Sequence, residues 1–280
     1  MQAVTREQVI TILEALGVEM GDGLLVHSSV QFLGRPAGGP GLFFEALCSV
    51  LGIYPPPTGD SRQAAAHRNL SAGTLAVPTF NFAFARGEPY DPLETPSNGM
   101  GVFSEYVRRQ PGAMRTTHPM QSLAVAGRYA ADLAARDTPS AFDPGSAFER
   151  MLELDFKLLL LGAGIQAVSM LHYSEQRAGV PYRYWKDFQG QVRSPHGWEL
   201  RTYRMFVRDL DLDAHLDLQP VQALLDKRGR WASLPLNYGS VSLCRLSDFV
   251  AAVDEFLSAD PWSLVTNREE ALKIFLKRET

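Results

Sequence analysis

At 280 residues and 45% hydrophobic composition, the chain is long enough to bury a sizeable core in one elaborated α/β domain, and it carries no low-complexity tract. A formal net charge of −4 gives no global basic signal for nucleic acid, and no apolar run approaches the length of a membrane span. Cys48 and Cys244 lie in apolar segments and read as small buried residues, which suits a reducing compartment; the opening Met-Gln-Ala-Val-Thr-Arg-Glu does not read as a signal peptide, so a cytoplasmic location is expected.

The first helical signal is Thr5 with Gln8 three positions on, followed by Val9, Ile10, Ile12, Leu13 and Leu16 up to Gly17, a helix of about three turns behind a capping box. Residues 24–27 (Leu-Leu-Val-His) read as a short buried strand ending in Ser28-Ser29. Hydroxyls and free backbone N–H groups at a strand end suit an anionic or amide-bearing ligand, although a serine pair there is also an ordinary turn. A glycine- and proline-rich loop over 34–41 runs into a second helix at about 42–51, and it matches neither the P-loop lysine pattern nor a dinucleotide fingerprint. Residues 53–72 are polar with successive prolines that forbid helix and central strand, so a surface insertion is expected at about 53–70.

Another buried strand follows at 73–80, then a long irregular segment over 90–101, a helix at about 102–110, and a stretch at 111–122 dense in hydrogen-bonding groups. A strand at 123–126 and a helix at 128–136 come next. Residues 199–207 alternate with period two and predict a half-exposed antiparallel strand, so the sheet is mixed; helices near 247–258 and 267–278 close the chain. This alternation predicts a layered α/β/α fold with a central mixed β-sheet, in a single domain over 1–280.

The most informative stretch is 158–175. Four leucines at 158–161, bounded by Gly162 and Gly164, read as a strand covered on both faces, and from about Ile165 the composition suits a helix. On that helix His172 and Glu175 share one face, and a carboxylate beside an imidazole can hold one ring nitrogen protonated and make the other a base. Such a pair is also a common surface contact worth a few tenths of a kcal/mol. Its place directly after a buried strand, where α/β proteins put their sites, points to chemistry.

Rival readings leave weaker marks. Residues 162–167 fit G-x-G-x-x-A, but residues 181–187 (Pro-Tyr-Arg-Tyr-Trp-Lys-Asp) do not supply the second core strand that a dinucleotide site requires, so an NAD-binding oxidoreductase is the lesser alternative. No G-x-S-x-G elbow and no H-E-x-x-H is present, and the remaining histidines are scattered without ligand spacing, so neither serine hydrolase chemistry nor a metal is expected.

Taken together, His27-Ser28-Ser29, Gly-Thr-Leu-Ala-Val-Pro-Thr at 73–79, Tyr-Asp-Pro…Thr-Pro-Ser…Met-Gly at 90–101, Pro-Gly…Arg-Thr-Thr-His-Pro…Ser at 111–122 and Leu-His-Tyr-Ser-Glu at 171–175 resemble the aminoglycoside 3-N-acetyltransferase family, which includes amino-sugar N-acyltransferases. The resemblance covers about residues 1–180 and implies acetyl-CoA as acyl donor. It implies His172 as general base and Glu175 as its orienter. His27, Ser28, Ser29 and the segment Arg115, Thr116, Thr117 and His118 would hold the pantetheine arm and phosphates of coenzyme A, and the loop with Thr95 and Ser97 would border the thioester. Direct attack by a primary amine is expected, since neither cysteine sits in a motif that activates a thiolate. The expected partners are a small-molecule amine acceptor of amino-sugar type, no nucleic acid and no membrane, with a homodimer as an open expectation. An acyl-CoA longer than acetyl, or an amine that is not a sugar, remains an alternative.

The chain departs from drug-modifying members in the insertion and in the charge of its acceptor-side part from 180 onward. Residues 176–208 hold Arg177, Arg183, Lys186, Arg193, Arg201, Arg204 and Arg208 against Asp187 and Glu199, an excess of five positive charges. A pocket for a polycation should be acidic, so this excess suits a phosphate-bearing acceptor, and Val-Pro-Tyr-Arg-Tyr-Trp-Lys at 180–186 resembles family members that acylate nucleotide-linked amino sugars. The plainer reading is a solvated basic face balanced by Asp209, Asp211, Asp213 and Asp217.

Overall fold

The computed structural model of the protein describes residues 2–53 and 72–279. The expected insertion lies outside the described residues except for Ile53. In chain order the elements are β1 (Ala3–Val4), α1 (Arg6–Ala15), β2 (Gly23–Ser28), β3 (Arg35–Pro36), α2 (Gly41–Leu51), β4 (Thr74–Pro78), α3 (Gly101–Arg108), β5 (Met114–Arg115), β6 (Leu123–Gly127), α4 (Ala130–Ala134), α5 (Ala147–Glu153) and β7 (Lys157–Leu161). Then follow α6 (Leu171–Ala178), β8 (Arg183–Ser194), β9 (Gly197–Arg208), α7 (Gln219–Lys227), β10 (Ala232–Leu236), β11 (Gly239–Arg245), α8 (Leu246–Ala259) and α9 (Arg268–Glu279).

Seven strands form the central sheet in the order β10-β11-β7-β2-β4-β6-β5. The middle strands β7, β2 and β4 are parallel, and the outer ones join antiparallel, so the sheet is mixed. The leucine run follows from burial on both faces. Leu158 and Leu160 pack with Phe148 and Met151 of α5, Leu171 of α6 and Phe249 of α8, whereas Leu159 and Leu161 pack with Leu13 of α1, Phe43 and Leu47 of α2 and Phe103 of α3. Two helical layers on one sheet give the expected α/β/α arrangement.

Local signals read from the sequence appear where expected at the N-terminus. The Thr5 hydroxyl accepts from the Gln8 N–H at 3.2 Å and the Gln8 side chain accepts from the Thr5 N–H at 2.9 Å, a complete capping box. Helices α5 and α7 stand outside the elements expected from sequence, although Ser146 caps α5 by accepting from the Glu149 N–H at 3.2 Å; each is short and takes its place from the core through Phe148, Val221 and Leu225. The helix expected from about Ile165 begins only at Leu171, after a single 3-10 turn over Ile165–Ala167. The reason is local: the N–H of Ser169 points to the buried ring of His27, 3.4 Å away, and not to a helical carbonyl.

Outside the main sheet, β8 and β9 form a two-stranded ribbon, twelve residues on each strand. The strand expected at 199–207 lies inside β9, and 181–187 leads into β8, which is not a core strand. The ribbon is fastened by Tyr90, whose N–H donates to the Gln191 carbonyl (2.9 Å) and whose carbonyl accepts from the Arg193 N–H (2.8 Å), and by Phe84, Tyr90, Met120, Val192 and Tyr203, which pack together beneath it. Among the described residues, no helix is long and apolar enough to cross a membrane.

Gly162 ends β7 at φ +75°, and a Cβ there would meet the Ser29 carbonyl at 2.6 Å and Leu33 Cγ at 2.9 Å. Both the backbone sign and the space oppose any side chain. Gly162→Ala is therefore expected to cost about 2 kcal/mol and lower Tm by roughly 4–8 °C, measured by thermal unfolding.

Candidate active site

Helix α6 starts just beyond the carboxyl end of β7, so its first turn faces the sheet edge at which parallel strands β7, β2 and β4 all terminate. His172 lies in that turn with its side chain 34% exposed, while Glu175, one turn on, is fully buried. Their side chains meet: His172 Nδ1 is 2.7 Å from Glu175 Oε2. Arg183, at the start of β8, closes the group from the other side. Its Nε stands 2.9 Å from the same oxygen, an ion pair out of hydrogen-bond alignment, and its Nη1 donates to the Phe206 carbonyl at 3.2 Å.

Burial alone would raise the Glu175 pKa, but the hydrogen bond and charge of His172 together with Arg183 outweigh it and hold the carboxyl below its ordinary value. An ionised carboxylate can only accept, so the proton in the 2.7 Å contact belongs to Nδ1. Arg183 Nη2 is 3.2 Å from Nδ1, and as a pure donor it cannot take that role. The neutral ring is therefore held with its hydrogen on Nδ1 and a lone pair on Nε2. Such a ring can accept a proton from a group that approaches it. Beside this group, the Tyr182 hydroxyl and Glu175 Oε1 are buried without hydrogen-bond partners among the described residues, and burial, with the Glu175 charge second, pushes the tyrosine pKa up.

His172 and Arg183 border a cleft of about 340 Å³ walled by Phe80, Phe82, Phe142, Phe188 and Phe206, with Arg208 at the same wall. Phe142 meets the His172 ring edge-on at 5.9 Å between centroids.

The other expected site residues divide into groups. Ser28 and Ser29 are half-buried at the carboxyl end of β2, beside Gly162, and their hydroxyls make no hydrogen bond among the described residues. His27 next to them is buried; burial first, and the nearby His172 second, lower its pKa to about 3, and its Nε2 faces the N–H and hydroxyl of Ser169, each 3.4 Å away. Thr95 and Ser97 lie on a loop tied to the cleft wall, since Asn81 donates to the Pro96 carbonyl and the Asn98 N–H to the Phe80 carbonyl, both at 2.8 Å. Ser97 donates its N–H and hydroxyl to Glu105, each at 2.9 Å.

Arg115, Thr116 and His118 are buried, and their polar atoms are engaged within the protein. Arg115 donates to the Ser122 hydroxyl (2.9 Å), the Thr79 carbonyl (2.6 Å) and the Thr95 carbonyl, which fastens the Thr95 loop to the end of β4. The Thr116 hydroxyl accepts from Leu123 N–H at 2.8 Å, and Thr117 donates to the Arg136 carbonyl at 3.2 Å. His118 Nδ1 accepts from Gln121 N–H at 3.1 Å, and the ring packs against Tyr203 under the ribbon. The stretch that reads in sequence as one binding segment is thus knitted into the fold by bonds within the protein. Arg183 is visible in the sequence only as one charge among seven; no spacing rule ties it to a glutamate on the preceding helix.

Neither cysteine is near an activating group, and burial pushes both thiols up to about 12. Among the described residues no cluster of three or more His, Cys, Asp or Glu could hold a metal ion.

A family model described as aminoglycoside 3-N-acetyltransferase matches residues 25–258. The chain belongs to this family. Curated relatives include an aminoglycoside N(3)-acetyltransferase III from Salmonella sp, 32% identical over 197 residues that cover 69% of this chain and 68% of the relative. Another is an aminoglycoside N(3)-acetyltransferase VIII from Streptomyces fradiae, 34% identical over 215 residues, 74% and 72% of the two chains. Among solved structures, AAC-IIIb in a binary complex with CoASH shares the fold at TM-score 0.75 and 20% identity, covering 92% of this chain and 97% of that one. A mutant of aminoglycoside acetyltransferase AAC(3)-IVa in complex with apramycin is similar at TM-score 0.73 and 27% identity, with coverage of 94% and 96%. The family is one of N-acetyltransferase enzymes, and the expected layered fold is the one its solved members share.

Buried neutral histidines carry a consequence for acid stability. Burial, the dominant cause, pushes His118 down from 6.5 to about 4. The unfolded chain binds the proton more readily between those values, so the stabilisation is complete above pH 6.5 and is lost as pH falls toward 4. The loss from His118 is about 3 kcal/mol. His118→Gln is expected to flatten this decline relative to the native chain, read as the difference between urea-unfolding free energies at about pH 7 and about pH 4.5.

Proposed function

We propose that this protein transfers an acetyl group from acetyl-CoA to a primary amine of an amino sugar, by direct attack with His172 as general base. The observation that carries the reading is the half-exposed His172 ring, held by a buried ionised carboxylate at the wall of a cleft, in a chain of an N-acetyltransferase family. Relatives named for aminoglycoside acetylation and a fold neighbour with bound CoASH support the donor and the amine acceptor.

The chemistry follows from the protonation state. An ammonium has no lone pair, so the acceptor must shed a proton before or as its nitrogen bonds to the thioester carbonyl. That proton passes to His172 Nε2, the N–C bond forms, and the C–S bond breaks as the tetrahedral intermediate collapses. The nitrogen gives up its second proton as the amide forms, and the leaving coenzyme A thiolate takes up one proton to become the thiol, so that one proton in all is released with the products. Positive charge that arrives on the ring is stabilised by Glu175 at 2.7 Å. For the donor, the hydroxyls of Ser28 and Ser29 at the end of β2 are expected contacts that the fold leaves unengaged among the described residues, and the Thr95–Ser97 loop is tied to the cleft wall through Asn81 and Phe80. Arg115 acts here as the residue that holds that loop in place.

Thiol release from acetyl-CoA tests the assignment. His172→Ala is expected to lower kcat by about 10²–10⁴-fold with acetyl-CoA affinity changed by no more than a few-fold. Loss of acetyl-CoA binding with kcat retained would assign His172 to the donor and not to proton transfer.

A further inference from the structure

We infer that the preferred acceptor is an amino sugar bearing a phosphate, ranked above a polycationic aminoglycoside, and that Arg208 is the residue that selects it. The inference rests on the acetyl-transfer reading and deepens it.

In the register of the ribbon, Arg208 of β9 is the direct cross-strand partner of Arg183 of β8. Like charges at such a pair repel and destabilise a ribbon. Arg183 is compensated by Glu175, and its guanidinium is enclosed, with its side chain only 9% exposed. The Arg208 side chain has no hydrogen bond or ion pair among the described residues, is exposed, and borders the cleft beside His172. Among the other basic residues of the segment, Arg177 pairs with Asp254, Arg201 with Asp137 and Arg204 with Asp187, while Lys186 and Arg193 lie over the rings of Phe188 and Trp198 and do not line the cleft. Nor do the following acids neutralise Arg208, because Asp209 and Asp211 both pair with Arg278.

The rest of the cleft wall agrees. Among the described residues that line it there is no Asp or Glu, and five phenylalanines are present. Nearby carboxylates are committed: Glu175 to His172 and Arg183, and Asp143 to the Gln176 side chain (2.8 Å) and Ser140 N–H (2.9 Å). A polycation entering this cleft would lose water from several ammonium groups and gain aromatic faces but no paired anion. A molecule with one amine at His172 and a phosphate at Arg208 meets one partner for each charge, and the guanidinium fork suits phosphate oxygens. Its uncharged part would lie against the phenylalanines.

The test combines binding with turnover. Calorimetry in the presence of coenzyme A compares glucosamine 6-phosphate, UDP-glucosamine, glucosamine and gentamicin on the native protein and on Arg208→Glu, an exposed site at which folding is not at risk. The expected result is tighter binding of a phosphate-bearing amine than of glucosamine or gentamicin. Arg208→Glu then weakens that amine by roughly 10–100-fold while the KM for acetyl-CoA stays within about two-fold. Preference between the two phosphate-bearing probes tells a sugar phosphate from a nucleotide-linked sugar. Tighter binding of gentamicin by the native protein overturns the inference, as does a rise in the KM for acetyl-CoA in Arg208→Glu, which would assign Arg208 to the donor. Binding that follows Arg208 without thiol release from any amine would instead overturn the transferase reading and leave the anion site standing.

Discussion

One buried carboxylate sets the geometry of the site. Glu175 is removed from water, and an ion in that position is tolerated only if its charge is answered on the spot. His172 and Arg183 answer it from two different elements, the first turn of α6 and the root of the ribbon. The same contact therefore does two things: it fixes the ring tautomer, and it docks the ribbon against the helix. Breaking a buried pair of this type by removing one member typically costs about 3–5 kcal/mol, so the ribbon and the ring are coupled through Glu175.

The fold brings this contact to the right place. Parallel strands β7, β2 and β4 end together, and each contributes at its end: Gly162 turns the chain out of the sheet, His27 ties the following segment through Ser169, and Phe80 forms cleft wall beyond β4. Because His27 is buried and held neutral, it acts as a fixed acceptor, not as a second proton carrier. The ribbon then supplies what the sheet lacks, a second wall with Phe188, Phe206 and two arginines of very different status.

Much of this is legible in the sequence for a physical reason: burial on both faces of β7 leaves an unbroken leucine run, and i, i+3 spacing on a helix guarantees that His172 and Glu175 share a face. Conformational signals of short range, such as the Thr5 capping box, are equally clear. What cannot be read is anything made by contact between distant segments. Arg183 reaches Glu175 only because β8 folds back on α6, and the sequence likewise cannot show that each guanidinium nitrogen of Arg115 donates to an oxygen of Thr79, Ser122 or Thr95. The charge balance along 176–217 shows the same limit, with Asp209 and Asp211 turning to Arg278 near the end of the chain.

Proton transfer as described depends on Glu175 keeping the His172 hydrogen on Nδ1 and leaving Nε2 free to take the acceptor's proton. Nitrogen-15 NMR of the ring-labelled protein at neutral pH, with His172 assigned by comparison to His172→Ala, reads that tautomer directly. A protonated Nδ1 and an unprotonated Nε2 are predicted, with the preference lost in Glu175→Gln. A His172 ring that carries its hydrogen on Nε2 in the native protein would contradict this mechanism.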